Sequence, residues 1–303
     1  MTSFDFNGIG TGWHIDIYAD LYEVKKGSLI KEINERVEQY DKAYSRFRND
    51  SIITKASQTA GTYQLPDDAT RMFDVYADLY ARTGGFLTPL VGDALVNAGY
   101  DAEYSLKQKG KPTPAHKWED AIEFVQPLAS QAPQSGVSDL HPSLIVKKPT
   151  WIDLGAAGKG YLVDIIGELL ESHGYKAYLI NAGGDIRHRG AEIIKIGLEN
   201  PDDFSQAIGV YNLYNKSICG SAGNRRKWGD FTHIIDPTTG KSPKEIVAVW
   251  VVTDTALIAD ALTTCLFFVP ASTLRGAYSF EYMIIYKDKS FEKSAGFEAE
   301  IFS

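Results

Sequence analysis

The chain has 303 residues, 44% hydrophobic and 23% charged, a balance that buries a real core and excludes a disordered or fibrous polymer. Its formal net charge of −8 excludes a broadly basic nucleic-acid-binding surface. It does not exclude an anionic ligand, because one Lys and one metal ion suffice to hold a pyrophosphate on an acidic protein.

Residues 13–18 read as an opening strand. Residues 27–44 carry Ile30, Ile33, Val37, Tyr40 and Tyr44 at the helical period. Residues 67–83 repeat that pattern with Met72, Phe73, Tyr76, Leu79 and Tyr80, then stop at Gly84-Gly85, a helix C-cap signal. The Pro/Ser/Gln stretch 127–136 is expected to be a loop or lobe boundary. Residues 150–154 read as a short strand before a Gly-rich turn. Leu162, Ile166, Leu169 and Leu170 then define an amphipathic helix ending at Gly174. Strands are expected at 176–181, 193–198, 207–213 and 246–252, a last long helix at 255–267, and closing strands at 283–286 and within 291–302. This order indicates an α+β (mixed α/β) fold, a mixed sheet covered by helices. One domain over 1–303 is expected, built as a single body or as two intimate lobes with a boundary near 127–150.

Cys219 and Cys265 make neither a disulfide framework nor a CxxC metal site, and read as buried thiols. No apolar run of about 18 residues occurs, so no transmembrane segment is expected. The first residues lack the basic-then-apolar order of a secretory signal. The expected compartment is the cytoplasm if the chain is complete as encoded, and the cell envelope or periplasmic side if a signal was removed.

Four motifs carry chemistry. Asp153-Leu154-Gly155-Ala156-Ala157-Gly158-Lys159-Gly160-Tyr161 is a strand, a small-residue turn and a helix start. Small residues let backbone approach a ligand, and a helix N-terminus favours phosphate, to which Lys159 adds a point charge. It is not a Walker loop, which needs four residues between its glycines and Ser/Thr after the Lys. On spacing alone, an ordinary turn with a surface Lys stands equal. In Ala259-Asp260-Ala261-Leu262-Thr263-Thr264, Asp260 and Thr264 share one helix face. A carboxylate on so apolar a helix needs a partner, and a carboxylate with a hydroxyl suits a hard cation such as Mg²⁺. The bland reading is a Thr bonded back to its helix and an Asp facing solvent. His233-Ile234-Ile235-Asp236-Pro237-Thr238-Thr239-Gly240 reads as a turn, with a His more often structural than catalytic. Asn181-Ala182-Gly183-Gly184-Asp185 reads as a strand end and a turn.

Together, and in this order, these segments resemble the ApbE family of FAD:protein FMN transferases over about residues 10–269. Ser45-Arg46-Phe47-Arg48-Asn49-Asp50-Ser51 and residues 84–92 are further landmarks. The resemblance implies Mg²⁺ held by the Ala156 carbonyl, Asp260 and Thr264. It implies FAD contacts at Asp153, Lys159 and Ile234, at Phe47 as a stacking aromatic, and at Phe86-Leu87-Thr88. Family members often have Met-Gly-Thr where this chain has Ile9-Gly10-Thr11, which makes Ile9 a flavin contact. They often have Phe-Asp-Pro-Thr where this chain has Leu87-Thr88-Pro89-Leu90. The implied partners are FAD as substrate and an acceptor flavoprotein with a Thr or Ser flavinylation site. The implied reaction is transfer of FMN to that hydroxyl with release of AMP, Lys159 stabilising charge and His233 acting as base. Two other classes fit the same residues: an FAD pyrophosphatase giving FMN and AMP, and a non-enzymatic FAD-binding protein.

Overall fold

In the computed structural model, residues 1–126 and 141–302 are described. The stretch expected as a loop at 127–136, and with it much of the boundary zone near 127–150, lies outside the described residues. The chain opens with strands β1 (Thr2–Gly8) and β2 (Thr11–Ile17), followed by helices α1 (Glu23–Tyr44) and α2 (Ile52–Gln58). Then come β3 (Gly61–Gln64), α3 (Ala69–Thr83), α4 (Gly92–Ala98), α5 (Trp118–Ala121), β4 (Ile122–Val125) and β5 (Ser143–Val146). The central run is α6 (Gly158–Ser172), β6 (Tyr178–Ala182), β7 (Asp185–Arg189), β8 (Ile194–Asn200), β9 (Asp203–Leu213) and β10 (Ser217–Ala222). The two-residue strands β11 (Lys227–Trp228) and β12 (Phe231–Thr232) precede β13 (Ile246–Thr253) and α7 (Ala256–Cys265). Strands β14 (Glu281–Tyr286), β15 (Phe291–Lys293) and β16 (Ala299–Ile301) close the chain.

These elements form two compact units. The first comprises Met1–Glu38, Ala156–Ile234 and Pro243–Ser303; the second comprises Gln39–Gly155 and Ile235–Ser242. The first unit is built on an eight-stranded sheet in the order β1-β2-β6-β7-β10-β13-β14-β15. The expected α+β architecture is met, but the sheet is not mixed: its described strand pairs are antiparallel. Tight hairpins account for this: β1–β2 and β6–β7 are each joined by two residues, a link only antiparallel neighbours accept.

Alternation along each strand sends neighbouring side chains to opposite faces. On one face, Arg187 bonds to Asp164 of α6 and Cys219 to the Ala256 carbonyl of α7. On the other, Ile186, Ile218, Trp250 and Met283 form an apolar core with Leu198, Tyr211 and Leu213 of a second sheet, β16-β9-β8. Cys219 and Cys265 are buried free thiols.

The second unit packs α3 against the small sheet β3-β5-β4. Met72, Phe73, Tyr76 and Leu79 are fully buried, and the Phe73 ring stacks on Phe124 at 4.6 Å. Gly84 ends α3 at φ 64°, as the double glycine foretells. Residues 150–154, expected as a strand, join no sheet. Their polar groups are satisfied one by one instead: Ile152 N donates to Ser57 Oγ at 3.0 Å, Asp153 N to the Pro89 carbonyl at 2.7 Å, and Thr150 Oγ1 to Asp93 at 2.6 Å. Among the described residues no helix is long and apolar enough to cross a membrane.

Helices α6 and α7 are locked by a charge. Asp164 on α6 accepts from the Ala256 and Leu257 amides at 3.0 and 2.8 Å, capping α7 from a neighbouring element, and pairs with Arg187 at 2.7 Å. The Thr255 hydroxyl serves the next amide, that of Ile258. These bonds satisfy the first donors that a helix leaves open. Both Asp164 and Arg187 are buried. Removing one partner strands the other in low dielectric, so Asp164→Ala is expected to cost about 3–5 kcal/mol in urea or guanidinium unfolding. Lys31→Ala, which breaks only an exposed pair with Glu35, is expected to cost less than about 0.5 kcal/mol.

Candidate active site

The segment leading into α6 and the middle of α7 meet where Gly160 has no side chain. A Cβ there would lie 2.1 Å from the Ala256 carbonyl oxygen and 2.7 Å from Asp260 Cβ. This close approach brings Asp260 Oδ2 to the Gly160 amide at 3.0 Å. That amide lies in the first turn of α6, where a helix leaves its donors without an internal acceptor, and Asp260 satisfies it.

Asp260 is buried, and so is Asp185, which starts β7. Asp185 is placed by the Gly183-Gly184 turn, whose two residues have φ 61° and 101°. A two-residue hairpin loop of this kind demands positive φ at both positions. At Gly183 a Cβ would also strike the Thr11 hydroxyl at 2.1 Å. Between the two carboxylates lies the Lys159 ammonium, hydrogen-bonded to Asp185 Oδ2 and 3.5 Å from Asp260 Oδ1. Burial opposes charge on Lys159, but Asp185 and Asp260 outweigh it and raise the ammonium pKa above its usual value. Burial pushes the Asp260 carboxyl up to about 7, with the charge of Asp185 adding to it. Burial also raises the Cys219 thiol well above its normal range, so it stays protonated beside these groups.

The hydroxyls of Thr263 and Thr264 divide. Thr263 Oγ1 is 2.6 Å from the Asp260 carbonyl and 2.8 Å from Ser221 Oγ. Thr264, one turn beyond Asp260, makes no side-chain hydrogen bond among the described residues. Asp260, Thr264 and the Ala156 carbonyl are all oxygen donors, the chemistry a hard cation takes. Among the described residues no cluster of three His, Cys, Asp or Glu side chains stands ready for a metal. A cation site here would have to draw on a backbone carbonyl and a hydroxyl as well as carboxylate.

His233 and Ile234 follow β12 in the same unit. Ile234 is buried and His233 half-buried. The Thr232 hydroxyl bonds to both the amide and the carbonyl of Ile234, at 3.2 and 3.1 Å, which fixes the backbone around His233. Ile9 holds φ 44° in the β1–β2 turn, left-handed backbone that costs a β-branched side chain about 1–2 kcal/mol.

The second unit carries Phe47, Phe86, Leu87, Thr88 and Asp153. Asp153 pairs with Arg46 and accepts the Gly155 amide at 2.7 Å, which closes the Asp-Leu-Gly turn. The Arg46 guanidinium lies 4.1 Å from the centre of the Phe47 ring and donates to the Tyr100 carbonyl at 2.9 Å. Its Nη2 is buried with no protein partner. Tyr104 stacks on Phe47 at 5.1 Å. Leu87 and Thr88 are buried, with Leu87 N bonded to Thr83 Oγ1 and Thr88 Oγ1 accepting the Leu90 amide, so this segment is held by its own backbone.

Thus Lys159, Asp260, Thr264 and Ala156 gather around α6 and α7, and Phe47 and Asp153 gather around Arg46. Asp185 and Arg46 were not assigned from sequence. A double glycine running straight into an acid was the one signal for the first, and nothing distinguished Arg46 from its neighbours. A cavity of about 810 Å³ in the first unit, lined in part by His14, Asn181, Ile186, Arg225 and Trp250, includes none of the expected site residues. Ile186 and Trp250 lie on the face of the sheet opposite α6 and α7.

Comparison with known proteins places the chain. The model of the ApbE family matches residues 9–279. The chain belongs to the ApbE family. It is 26% identical over 278 residues to a protein named FAD:protein FMN transferase from Klebsiella pneumoniae, covering 87% of this chain and 77% of that one. A protein of the same name from Escherichia coli K12 is 24% identical, with the same coverage. Among solved structures, the flavin transferase ApbE of Vibrio cholerae superposes with a TM-score of 0.75 at 20% identity, covering 98% of this chain and 97% of that one. The apbe protein of Thermotoga maritima superposes at 0.81 and 19% identity with the same coverage. These ApbE structures share its mixed helix-and-sheet fold.

The helix contact at Gly160 is testable by unfolding. Gly160→Ala is expected to cost about 1–3 kcal/mol through overpacking against Ala256. Gly27→Ala in α1, where no atom lies within 4 Å of the added methyl, is expected to stabilise by about 0.5–1 kcal/mol.

Proposed function

We propose that this transferase of the ApbE family is an FAD:protein FMN transferase. It uses Mg²⁺ to move the FMN half of FAD onto a Thr or Ser hydroxyl of an acceptor flavoprotein. The observation that carries the reading is the cluster of Lys159 with the buried carboxylates Asp185 and Asp260, the second of which also accepts the Gly160 amide at the start of α6. An FMN transferase must manage negative charge on a pyrophosphate, and this is where the chain concentrates the means to do so.

In this reading the acceptor hydroxyl attacks the FMN-side phosphorus of FAD. A new phosphorus–oxygen bond forms to the acceptor. The bond to the bridging oxygen breaks, and that oxygen leaves with AMP. The barrier is mainly alignment and charge. Asp260, Thr264 and the Ala156 carbonyl hold the cation, which when bound neutralises pyrophosphate oxygens. Lys159 supplies a second positive charge at the start of α6, where backbone amides already favour phosphate. His233 takes the hydroxyl proton, on a backbone fixed by Thr232. Phe47, against whose ring Arg46 and Tyr104 lie, is the aromatic for the isoalloxazine, and the buried Arg46 Nη2 beside it is a donor with no protein partner. Ile9, Ile234 and residues 86–88 supply the remaining flavin contacts, and Asp153 holds its turn through Arg46 and Gly155.

The test is mass spectrometry of a purified candidate acceptor after incubation with FAD, Mg²⁺ and this protein. The acceptor is expected to gain the mass of one FMN on a Thr or Ser, with AMP released in equal amount. His233→Ala is expected to slow transfer about a hundredfold or more while FAD still binds. FMN and AMP appearing at the same rate without acceptor would make the chain an FAD pyrophosphatase. Full activity in His233→Asn would reduce His233 to a structural residue.

A further inference from the structure

Asp185 belongs to none of the groups to which the proposed reaction gives a role, yet it holds the Lys159 ammonium more closely than Asp260 does. It is as buried as Asp260, and its pairing with Ala182 in the β6–β7 ladder leaves its backbone little freedom to swing away. With Asp260 ionised, as it must be to hold a cation, two carboxylates against one ammonium leave one negative charge in excess, in a region where charges are weakly screened. The neighbouring Cys219 thiol is protonated and adds nothing to the sum. The α6 N-terminus contributes only about half a positive charge, so the sign of the cluster stays negative.

That sign has a consequence for the order in which ligands enter. A pyrophosphate approaching Lys159 meets two carboxylates behind a single ammonium. A divalent cation meets net attraction, and once bound it turns the excess from one negative to one positive. We propose that Asp185 is a positioning residue that makes the site cation-first: it keeps the empty cluster negative, so that FAD is held weakly until a divalent ion at Asp260 reverses the sign. Asp185 also retains the Lys159 ammonium when the ion takes over Asp260. Lys159 then stays beside the incoming phosphate instead of being expelled by like charge. The inference rests on the reading above, in which Asp260 carries the cation and Lys159 meets the pyrophosphate.

Equilibrium binding tests it without any turnover. FAD is titrated into the whole protein by flavin fluorescence, once in EDTA and once in saturating Mg²⁺. Mn²⁺ alone is titrated separately by its electron paramagnetic resonance signal. In the wild type Mg²⁺ is expected to tighten FAD binding by about tenfold or more, within the usual range of site–site coupling. In Asp185→Asn, which keeps shape and removes charge, Mn²⁺ binding should weaken by about tenfold. FAD binding in EDTA should become several-fold tighter, and the Mg²⁺ effect on FAD should shrink accordingly. A merely structural Asp185 would weaken both ligands together and leave their coupling unchanged. That result overturns the proposal, as does equal FAD affinity with and without Mg²⁺ in the wild type. If Asp185→Asn does not fold by circular dichroism, Asp185→Ser carries the same expectations. The two readings fail separately: absence of FMN on the acceptor with this coupling intact removes the transferase assignment alone, whereas transfer with unaltered coupling in the variant removes only the role of Asp185.

Discussion

Everything at the candidate site depends on how closely α6 and α7 can approach, and that distance is set by one missing side chain. At Gly160 the backbone of α6 comes so near Ala256 and Asp260 that any Cβ would overlap a carbonyl oxygen. The contact lets a carboxylate from the middle of α7 serve as hydrogen-bond partner to an amide in the first turn of α6. A carboxylate at a helix N-terminus is electrostatically favoured, which offsets part of the cost of burying it. Thr264 follows Asp260 by one turn, so α7 offers a hydroxyl on the same face as the carboxylate.

The helix pair is held from its other end by a second buried acid. Asp164 reaches from α6 to the first amides of α7 and is neutralised by Arg187 from the sheet. So each helix supplies a carboxylate to the amides of the other, and each carboxylate meets a cation from its surroundings. The outcomes differ because the charges balance differently. Asp164 has a full counterion in Arg187, with Glu171 and Tyr178 completing the network at the rim. Asp260 shares Lys159 with Asp185 and is left short of positive charge. One arrangement fixes structure and the other leaves an appetite for a ligand, although both use the same chemistry of buried acids and helix ends.

Long periodic segments were legible in the sequence because their apolar spacing is dictated by the face they bury. Leu162, Ile166 and Leu170 marked α6, and residues 246–252 marked β13, each within a few residues of the observed ends. Gly84 and Gly174 punctuated helices as expected, both with positive φ. Some elements escaped: β1, although Phe4-Asp5-Phe6-Asn7 alternates, and β7, Asp-Ile-Arg-His-Arg, which is polar by composition although four of its five residues are buried. Asp185 and Arg187 are paired with Lys159, Asp164 and Glu171 of α6, a fact of tertiary structure that no local pattern carries. Residues 150–154 misled for the converse reason, since an extended apolar stretch can satisfy its backbone through side chains and loops instead of a ladder. At the site, the Asp260 and Thr264 spacing was readable because both lie on one helix. The partnership of Lys159 with Asp185 was not, because it joins residues 26 positions apart through a turn whose geometry only the fold defines.

The most direct measurement is an anomalous difference map from crystals of the whole protein soaked in Mn²⁺. The account predicts one strong peak bounded by an Asp260 oxygen, the Thr264 hydroxyl and the Ala156 carbonyl, with Lys159 still bonded to Asp185. Mg²⁺ in the same place should show oxygen distances of about 2.0–2.1 Å. A peak elsewhere, or no peak with Lys159 still bridging Asp185 and Asp260 at saturating Mn²⁺, would contradict it.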